Sequence, residues 1–295
     1  MYNFFIIIFF MLSIIKMQAQ NLESLKTKID SIFKSLDGDF AITFKVVDDG
    51  KGSILINEKM IFHAASTMKT PVMIEVFKQA AENKFNLDDS IEIKNEFTSI
   101  VDDSIYSLDI TDDSGEELYN FIGKKKTIRE LVFDMITVSS NLATNILIEL
   151  VGAKNTTETL RSIGANDIKV LRGVEDNKAF QLGLNNVVTA FDLMLMYQYL
   201  AKHELVSHEA SKEMINILLH QKHNSRISAK LPPDVKVAHK TGSITGVGHD
   251  SGIIFLPDGR KYVLVLLSKN VKDEKAVIEV QAEISKMIYE FVTQN

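Results

Sequence analysis

The chain has 295 residues, 45% hydrophobic and 24% charged, long enough for about two domains with a full core and too apolar to be disordered. Its 33 basic and 39 acidic residues leave a net charge of −6, which offers no basic face to a nucleic-acid backbone. The absence of cysteine excludes disulfide scaffolds, thiolate zinc sites, iron–sulfur clusters and thiol nucleophiles.

Residues 4–15 form an uncharged run broken only by Ser13, followed by the more polar Gln18-Ala19-Gln20. As a helix the run would reach roughly 18 Å, short of the roughly 30 Å hydrocarbon core of a bilayer. Its length matches the apolar region of a secretory signal, although Lys16 sits on the wrong side of it for the positive-inside preference. The expectation is cleavage near residue 20 and a periplasmic or secreted protein with no stable membrane insertion. With no cysteine after the run, no lipid anchor is expected.

Leu22, Leu25, Ile29, Ile32, Phe33 and Leu36 share one helical stripe, which Asp37-Gly38 ends. Strands are predicted at 40–47 and 53–56 around a turn-rich segment. The next helix buries Val72, Met73, Val76, Phe77 and Ala80; Pro71 is tolerable only near its start, so it begins close to Ser66. Residues 95–126 are acidic and irregular and read as a solvated excursion ending in Lys124-Lys125-Lys126. Thr127-Ile128-Arg129-Glu130 is a capping box, and helices are suggested at 142–151, 156–163, 189–201 and 211–220. The 25 residues from 164 to 188 have little periodicity, and a loop of that length in a compact domain is usually functional or disordered.

Strands return at 235–239, 252–256 and 261–268, and a closing helix aligns Ala276, Val277, Val280, Ile284, Met287, Ile288 and Phe291. The pattern predicts an α+β fold: an antiparallel sheet built from both chain ends and flanked by terminal helices, with an all-helical domain inserted. The expected boundaries are 21–85 and 225–295 for the sheet domain and 86–224 for the insertion.

Several common sites are absent. The chain has no Gly-x-Ser-x-Gly, no phosphate-binding glycine-rich loop and no His-Glu-x-x-His, and Gly246-Val247-Gly248 lacks the third glycine of a dinucleotide loop. His203, His208, His220 and His223 have no spacing that completes a ligand set and read as surface or packing residues. No metal and no cofactor are expected. Ser-x-x-Lys occurs three times, but only Ser66-Thr67-Met68-Lys69 stands where irregular chain becomes helix. There the first N–H groups point at an incoming oxyanion, and Lys69 returns one turn later beside the serine hydroxyl.

A serine is a poor nucleophile until a base takes its proton, and lysine serves only when neutral. Half-neutralising it at pH 7 needs a downward shift of roughly 3.4 units from about 10.4, some 4.6 kcal/mol, which burial and a second cation supply. A second lysine is therefore required. Lys240-Thr241-Gly242 is the one Lys-Ser/Thr-Gly and falls at the end of a predicted strand; Ser139-Ser140-Asn141 lies between two helices.

The ordered set Ser-x-x-Lys, Ser-x-Asn and Lys-Thr-Gly resembles the class A serine β-lactamases and the penicillin-binding fold they share. The resemblance extends to Leu142-Ala143-Thr144-Asn145, Leu87-Asp88-Asp89 and His239 to Ser243, and so spans nearly the whole chain after residue 20.

It implies that Ser66 attacks a lactam carbonyl, with Lys69 as base or acting with a glutamate through water. Ser139 relays the proton to the departing nitrogen, Asn141 holds the substrate's side-chain amide, and Lys240 and Thr241 receive its carboxylate. Gly242 completes that strand motif, and the backbone N–H groups of Ser66 and Ser243 form the oxyanion hole.

Glu175 is the only glutamate in 164–188 and hence the expected deacylating carboxylate, although it lies three residues after Arg172 where the family usually shows two. Ala179 stands where the family has an asparagine, for which Asn177 is a substitute, and Ser140 where it commonly has aspartate. Arg226 is the candidate second carboxylate ligand and His249 a weaker one. The expected partner is a small β-lactam and the expected state a monomer. The alternative is a penicillin-binding-type serine hydrolase, a D-alanyl-D-alanine peptidase or esterase, with slow deacylation. A non-catalytic cell-wall-binding relative is a third reading, opposed by the intact nucleophile motif.

Overall fold

A computed structural model describes residues 21–47 and 52–294. The apolar run at 4–15 lies outside them. The chain opens with helix α1 (21–34), then β1 (Asp39–Val46), β2 (Ser53–Ile56) and the short β3 (Phe62–His63). A 3-10 turn, Ala65–Met68, leads into α2 (Lys69–Ala81). Next come β4 (Ser90–Glu92), β5 (Phe97–Thr98), β6 (Ile105–Tyr106) and β7 (Lys125–Thr127), then α3 (Ile128–Thr137), α4 (Asn141–Val151) and α5 (Ala153–Ser162). The chain continues through α6 (Asn177–Gln181), β8 (Val187–Val188), α7 (Ala190–Ala201) and α8 (His208–Leu218). It ends with β9 (Lys236–Ile244), β10 (Val247–Phe255), β11 (Lys261–Lys269) and α9 (Glu274–Gln294).

The main sheet has the order β2-β1-β11-β10-β9 and is antiparallel throughout, so the N-terminal strands pair with the C-terminal hairpins as the α+β reading requires. Its central strand β11 is buried from Tyr262 to Ser268 because helices cover both faces. On one face α1 and α9 pack through Ile29, Phe33, Val277, Ile284 and Ile288 against Phe44, Tyr262 and Leu264. Side chains of this size contribute about 1.5–3 kcal/mol each when fully buried. On the other face Ala41, Val263 and Val265 join a core that continues through α2, α3, α4, α7 and α8.

Three sequence readings are corrected. Residues 95–126 are not simply a solvated excursion: Phe97, Leu108 and Leu118 are core residues, and the lysine run forms β7, paired with β4. The 164–188 loop contains the helical turn α6 and strand β8, which pairs with β3. Strand β9 does not stop at residue 239; pairing with β10 continues through Gly242↔His249 to Ile244↔Val247, so most of 243–250 is ladder and Lys240 sits mid-strand. Small polar Thr241-Gly242-Ser243 carries no strand signal, but the adjacent hairpin partner supplies the pairing.

Candidate active site

The cleft lies between β9 and the helical side of the molecule, with Ser66 lining both of its lobes, of about 510 Å³ and about 340 Å³. Ser66 stands in the 3-10 turn that precedes α2, so the helix proper starts at Lys69 rather than at the serine. Thr67 closes the turn, donating Oγ1–H to Ala64 O (2.6 Å) and its N–H to the same oxygen (3.1 Å). Ala65 pays for the geometry with a left-handed φ of 45°, and its N–H donates to His63 Nδ1 at 3.0 Å.

Strand β9 is pressed against this turn. A Cβ on Gly242 would stand 2.9 Å from Ser66 N and 3.0 Å from Thr67 N, so only glycine allows the approach. The same strand carries Lys240, fully buried, and Thr241 and Ser243 at the cleft wall.

Lys69 is buried, and its three donors are spent on Ser139 O (2.7 Å), Ser139 Oγ (3.2 Å) and Asn141 Oδ1 (2.8 Å). Lys240 Nζ donates to the same Ser139 Oγ at 3.1 Å and to Thr241 O at 2.9 Å. Asn141 Nδ2 in turn donates to Glu175 Oε1 at 2.8 Å. One chain of hydrogen bonds thus runs Lys240–Ser139–Lys69–Asn141–Glu175, uniting five residues from four distant stretches of sequence. Ser139 reaches both lysines because it adopts a left-handed φ of 62° between α3 and α4, a strain the site over-determines.

The electrostatics follow from burial. Desolvation holds Lys69 down at about 7, opposed by the charges of Asp113 and Glu175. Lys240 is pushed well below the lysine range, first by burial and then by the Lys69 charge. Glu175 is raised above an ordinary carboxylate by burial, with Asn141 opposing and Asp112 and Asp113 reinforcing. Two lysines sharing one hydroxyl in a dry site meet the demand that one of them be neutral near pH 7.

The remaining candidates divide. Arg226 is 7% exposed and lines the lobe with Lys240's strand, donating to Ser243 Oγ (3.1 Å) and Gln281 Oε1 (2.8 Å). Asn177 lines the other lobe at the start of α6. His249 does not reach the cleft: it is buried, bonded to His63 O (2.8 Å) and Ser268 N (3.2 Å), and burial lowers it to about 4. His223, read as a packing or surface residue, is exposed and also lines the Arg226 lobe.

Three supporting residues were missed or undervalued. Asp113, inside the segment taken as solvated, is buried and accepts from Asn141 N (2.9 Å) and Leu142 N (2.8 Å), the first N–H groups of α4. Ser140 caps the same helix through Ala143 N at 3.2 Å, so the carboxylate missing at 140 is delivered from another loop. The adjacent Asp113-Ser114-Gly115 turn is too common a pattern to have revealed this. Asn145 grips Val174 on both sides, accepting its N–H at 2.6 Å and donating to its carbonyl at 3.0 Å, which fixes the backbone next to Glu175. Asp176 binds Ser99 Oγ (2.9 Å), Ile100 N (3.0 Å) and Ala179 N (3.1 Å), fastening the loop to the β5–β6 hairpin. Among the described residues no group of three or more His, Asp or Glu could hold a metal ion.

This cleft and sheet place the chain in a family: it matches the Beta-lactamase enzyme family over residues 24–292 and belongs to it. A β-lactamase of Bacteroides uniformis is 25% identical over 287 residues, covering 92% of this chain and 93% of that protein. The β-lactamase structure from Sphaerobacter thermophilus superposes with a TM-score of 0.78 at 25% identity, covering 92% of this chain and 98% of that one. PBP-A shares the fold equally well, with a TM-score of 0.78 at 21% identity over 92% of this chain and 97% of that one.

Proposed function

We propose that the protein is a serine β-lactamase that opens the lactam amide through an acyl-enzyme on Ser66. The observation that carries this reading is the hydrogen-bond chain from Lys240 to Glu175 beside a serine at a helix start. Ser66 Oγ attacks the lactam carbonyl and its proton passes to neutral Lys69. The tetrahedral oxyanion is met by the N–H groups of Ser66 and Ser243, each such donor being worth about 3–4 kcal/mol. Ser139 gives a proton to the departing nitrogen as the C–N bond breaks, and recovers one from the lysine side. Glu175 then takes a proton from water, whose oxygen attacks the ester and releases Ser66 and the ring-opened acid. Asn141 orients the substrate's side-chain amide, while Lys240, Thr241 and Arg226 receive its carboxylate.

The apolar run at 4–15 supports export to the periplasm or medium, where the protein acts as a monomer. Amino-terminal sequencing and sedimentation of the protein recovered from that compartment test both.

The decisive experiment is intact mass during incubation with penicillin. A β-lactamase shows a transient adduct with turnover, and Ser66→Ala shows none. A stoichiometric adduct on the native enzyme that never leaves overturns the proposal in favour of a penicillin-binding hydrolase.

A further inference from the structure

The larger lobe of the cleft has a wall that the mechanism above does not use. Arg172 is 6% exposed and lines this lobe. Its guanidinium donates to Leu184 O (2.9 Å), Gly173 O (2.9 Å) and Asn185 Oδ1 (3.1 Å), all neutral acceptors. A guanidinium has five N–H donors, so two remain without a protein partner among the described residues. No carboxylate bonds this buried guanidinium directly, an arrangement proteins ordinarily avoid, and the charge of Asp176 acts on it only without contact. Asp176 already accepts from Ser99, Ile100 and Ala179.

His63 lines the same lobe. Its Nδ1 accepts the Ala65 N–H, so the ring proton of the neutral imidazole sits on Nε2, and that atom is buried without a partner. Burial, and after it the Arg172 charge, lowers the ring and favours its neutral form. Phe180 meets it edge-on at 6.0 Å and closes the wall with an apolar face. Arg172 and His63 therefore bring unpartnered donors to this lobe. The two carboxylates that also line the lobe stand elsewhere: Glu175 is bonded to Asn141, and Asp112 is solvent-exposed.

We propose that this lobe is a subsite for a carboxylate carried on the acyl side chain of the β-lactam, bound by the unclaimed donors of Arg172 with the Nε2–H of His63. The substrates favoured are lactams whose side chain ends in a free acid. This deepens the β-lactamase reading of the same cleft and rests on it. It is separate from the lobe lined by Thr241 and Arg226 that takes the ring carboxylate, and it gives Arg172 a directly bonded carboxylate only in the complex.

The test uses a cephalosporin with a carboxyalkyl-oxime side chain and its methyl ester, alike except for that charge. Binding of each to Ser66→Ala is measured by calorimetry and turnover by the native enzyme. The acid should bind about tenfold more tightly than the ester, the scale of one charge-assisted hydrogen bond, and show a correspondingly lower KM. Asn185→Asp supplies the second arm. It sets a carboxylate where an amide oxygen now meets Arg172, neutralising the guanidinium while the loop keeps its bonds to Leu184 and Gly173, and the preference should fall to about one. Equal binding of acid and ester, or a preference unchanged in Asn185→Asp, overturns the subsite and leaves the β-lactamase reading intact. A preference for the acid without turnover of either compound upholds the subsite and overturns the hydrolytic reading. Failure of Ser66→Ala to bind either compound, together with no turnover of either by the native enzyme, overturns both.

Discussion

The two walls of the cleft are built by different means. The β9 wall, with Lys240, Thr241, Gly242 and Ser243, is part of a five-stranded sheet whose ladder continues on through β10 and β11. The opposite wall, with Arg172 and Glu175, is a loop held by individual side chains: Asn145 on Val174, Asp176 on the β5–β6 hairpin, Asn186 on Leu171 and Arg172. The strand groups that receive the substrate are set by cooperative backbone pairing, Ser66 and Lys69 are set by the turn and helix pressed against that strand, and the group that releases the product is set by a few separable bonds. The two halves of the reaction should therefore fail independently. Perturbing the loop should trap acyl-enzyme, and perturbing the strand should prevent it from forming.

The largest expected effect tests that separation directly. Glu175→Gln keeps the amide–Asn141 contact in shape but removes the base, and should cut kcat by about 10²–10⁴. In rapid-mix mass spectrometry the adduct should form at close to the native rate and persist. If acylation slows as much as release, the walls are not independent and the glutamate serves both steps.

The strand wall is broken by Gly242→Ala. The new methyl would meet Ser66 N, and a shift of about 1 Å at reacting atoms costs about 10² in rate. Here the adduct should form slowly, and release should slow as well, because the second tetrahedral oxyanion uses the same Ser66 N–H. Slow release with normal formation would contradict the assignment of this wall.

Proton traffic sharpens the comparison further. Lys69 must be neutral to act as base and is held at about 7, so kcat/KM should fall about tenfold per pH unit below that value and flatten above it. Lys240 must be charged to hold a carboxylate, and its lowered value brings an alkaline limb down toward neutrality. In Glu175→Gln the acid limb of acylation should survive, because it belongs to Lys69 on α2, and should move to lower pH, because the Glu175 charge that raises Lys69 is gone. Its disappearance would transfer the acylation base from Lys69 to Glu175.

Asn145→Ala loosens the loop without touching a reacting group. It removes two bonds to Val174 and leaves a buried N–H and C=O to find water, at about 1–3 kcal/mol each at most. Release should slow by about tenfold while acylation stays near native; equal slowing of both steps would contradict the separation.

The same division explains what the sequence disclosed. Ser66, Lys69 and Ser139 were legible because each sits in a short motif at an element boundary, Lys240 because it stands in the one Lys-Thr-Gly of the sequence, and the α+β order followed from hydrophobic periodicity at the two chain ends. The coupling of Ser139 to both lysines was foreseen only as a need for a second cation. Asp113 and Asp176 were not legible: they act on residues 28 and 77 positions away, through contacts that carry no local period. The run of β9 through Gly242 was missed for a related reason, since the ladder is imposed by β10 and not by the propensity of Thr-Gly-Ser.

The smallest effect separates fastenings that matter from those that merely look similar. Lys178 on α6 reaches Asp102 and Ser104 in the hairpin at 2.7 Å each, spanning the same gap as buried Asp176. Both partners of this pair are about half exposed, at 53% and 47% of the side chain, so water and salt screen it. Asp102 is lowered to about 2 by the Lys178 bond, then by Ser104. Whatever it contributes is thus present above the ordinary carboxylate range near pH 4 and is lost as pH falls through 2, outside any working condition. Lys178→Ala should leave Tm and both catalytic steps unchanged within error at 0.15 M salt. Asp176→Ala, which strands Ser99 Oγ and Ile100 N in a buried site, should lower Tm and slow release. Comparable losses in the two variants would mean that the loop wall is held by its exposed charge pair, and the contrast between a sheet-borne and a side-chain-borne wall would have to be redrawn.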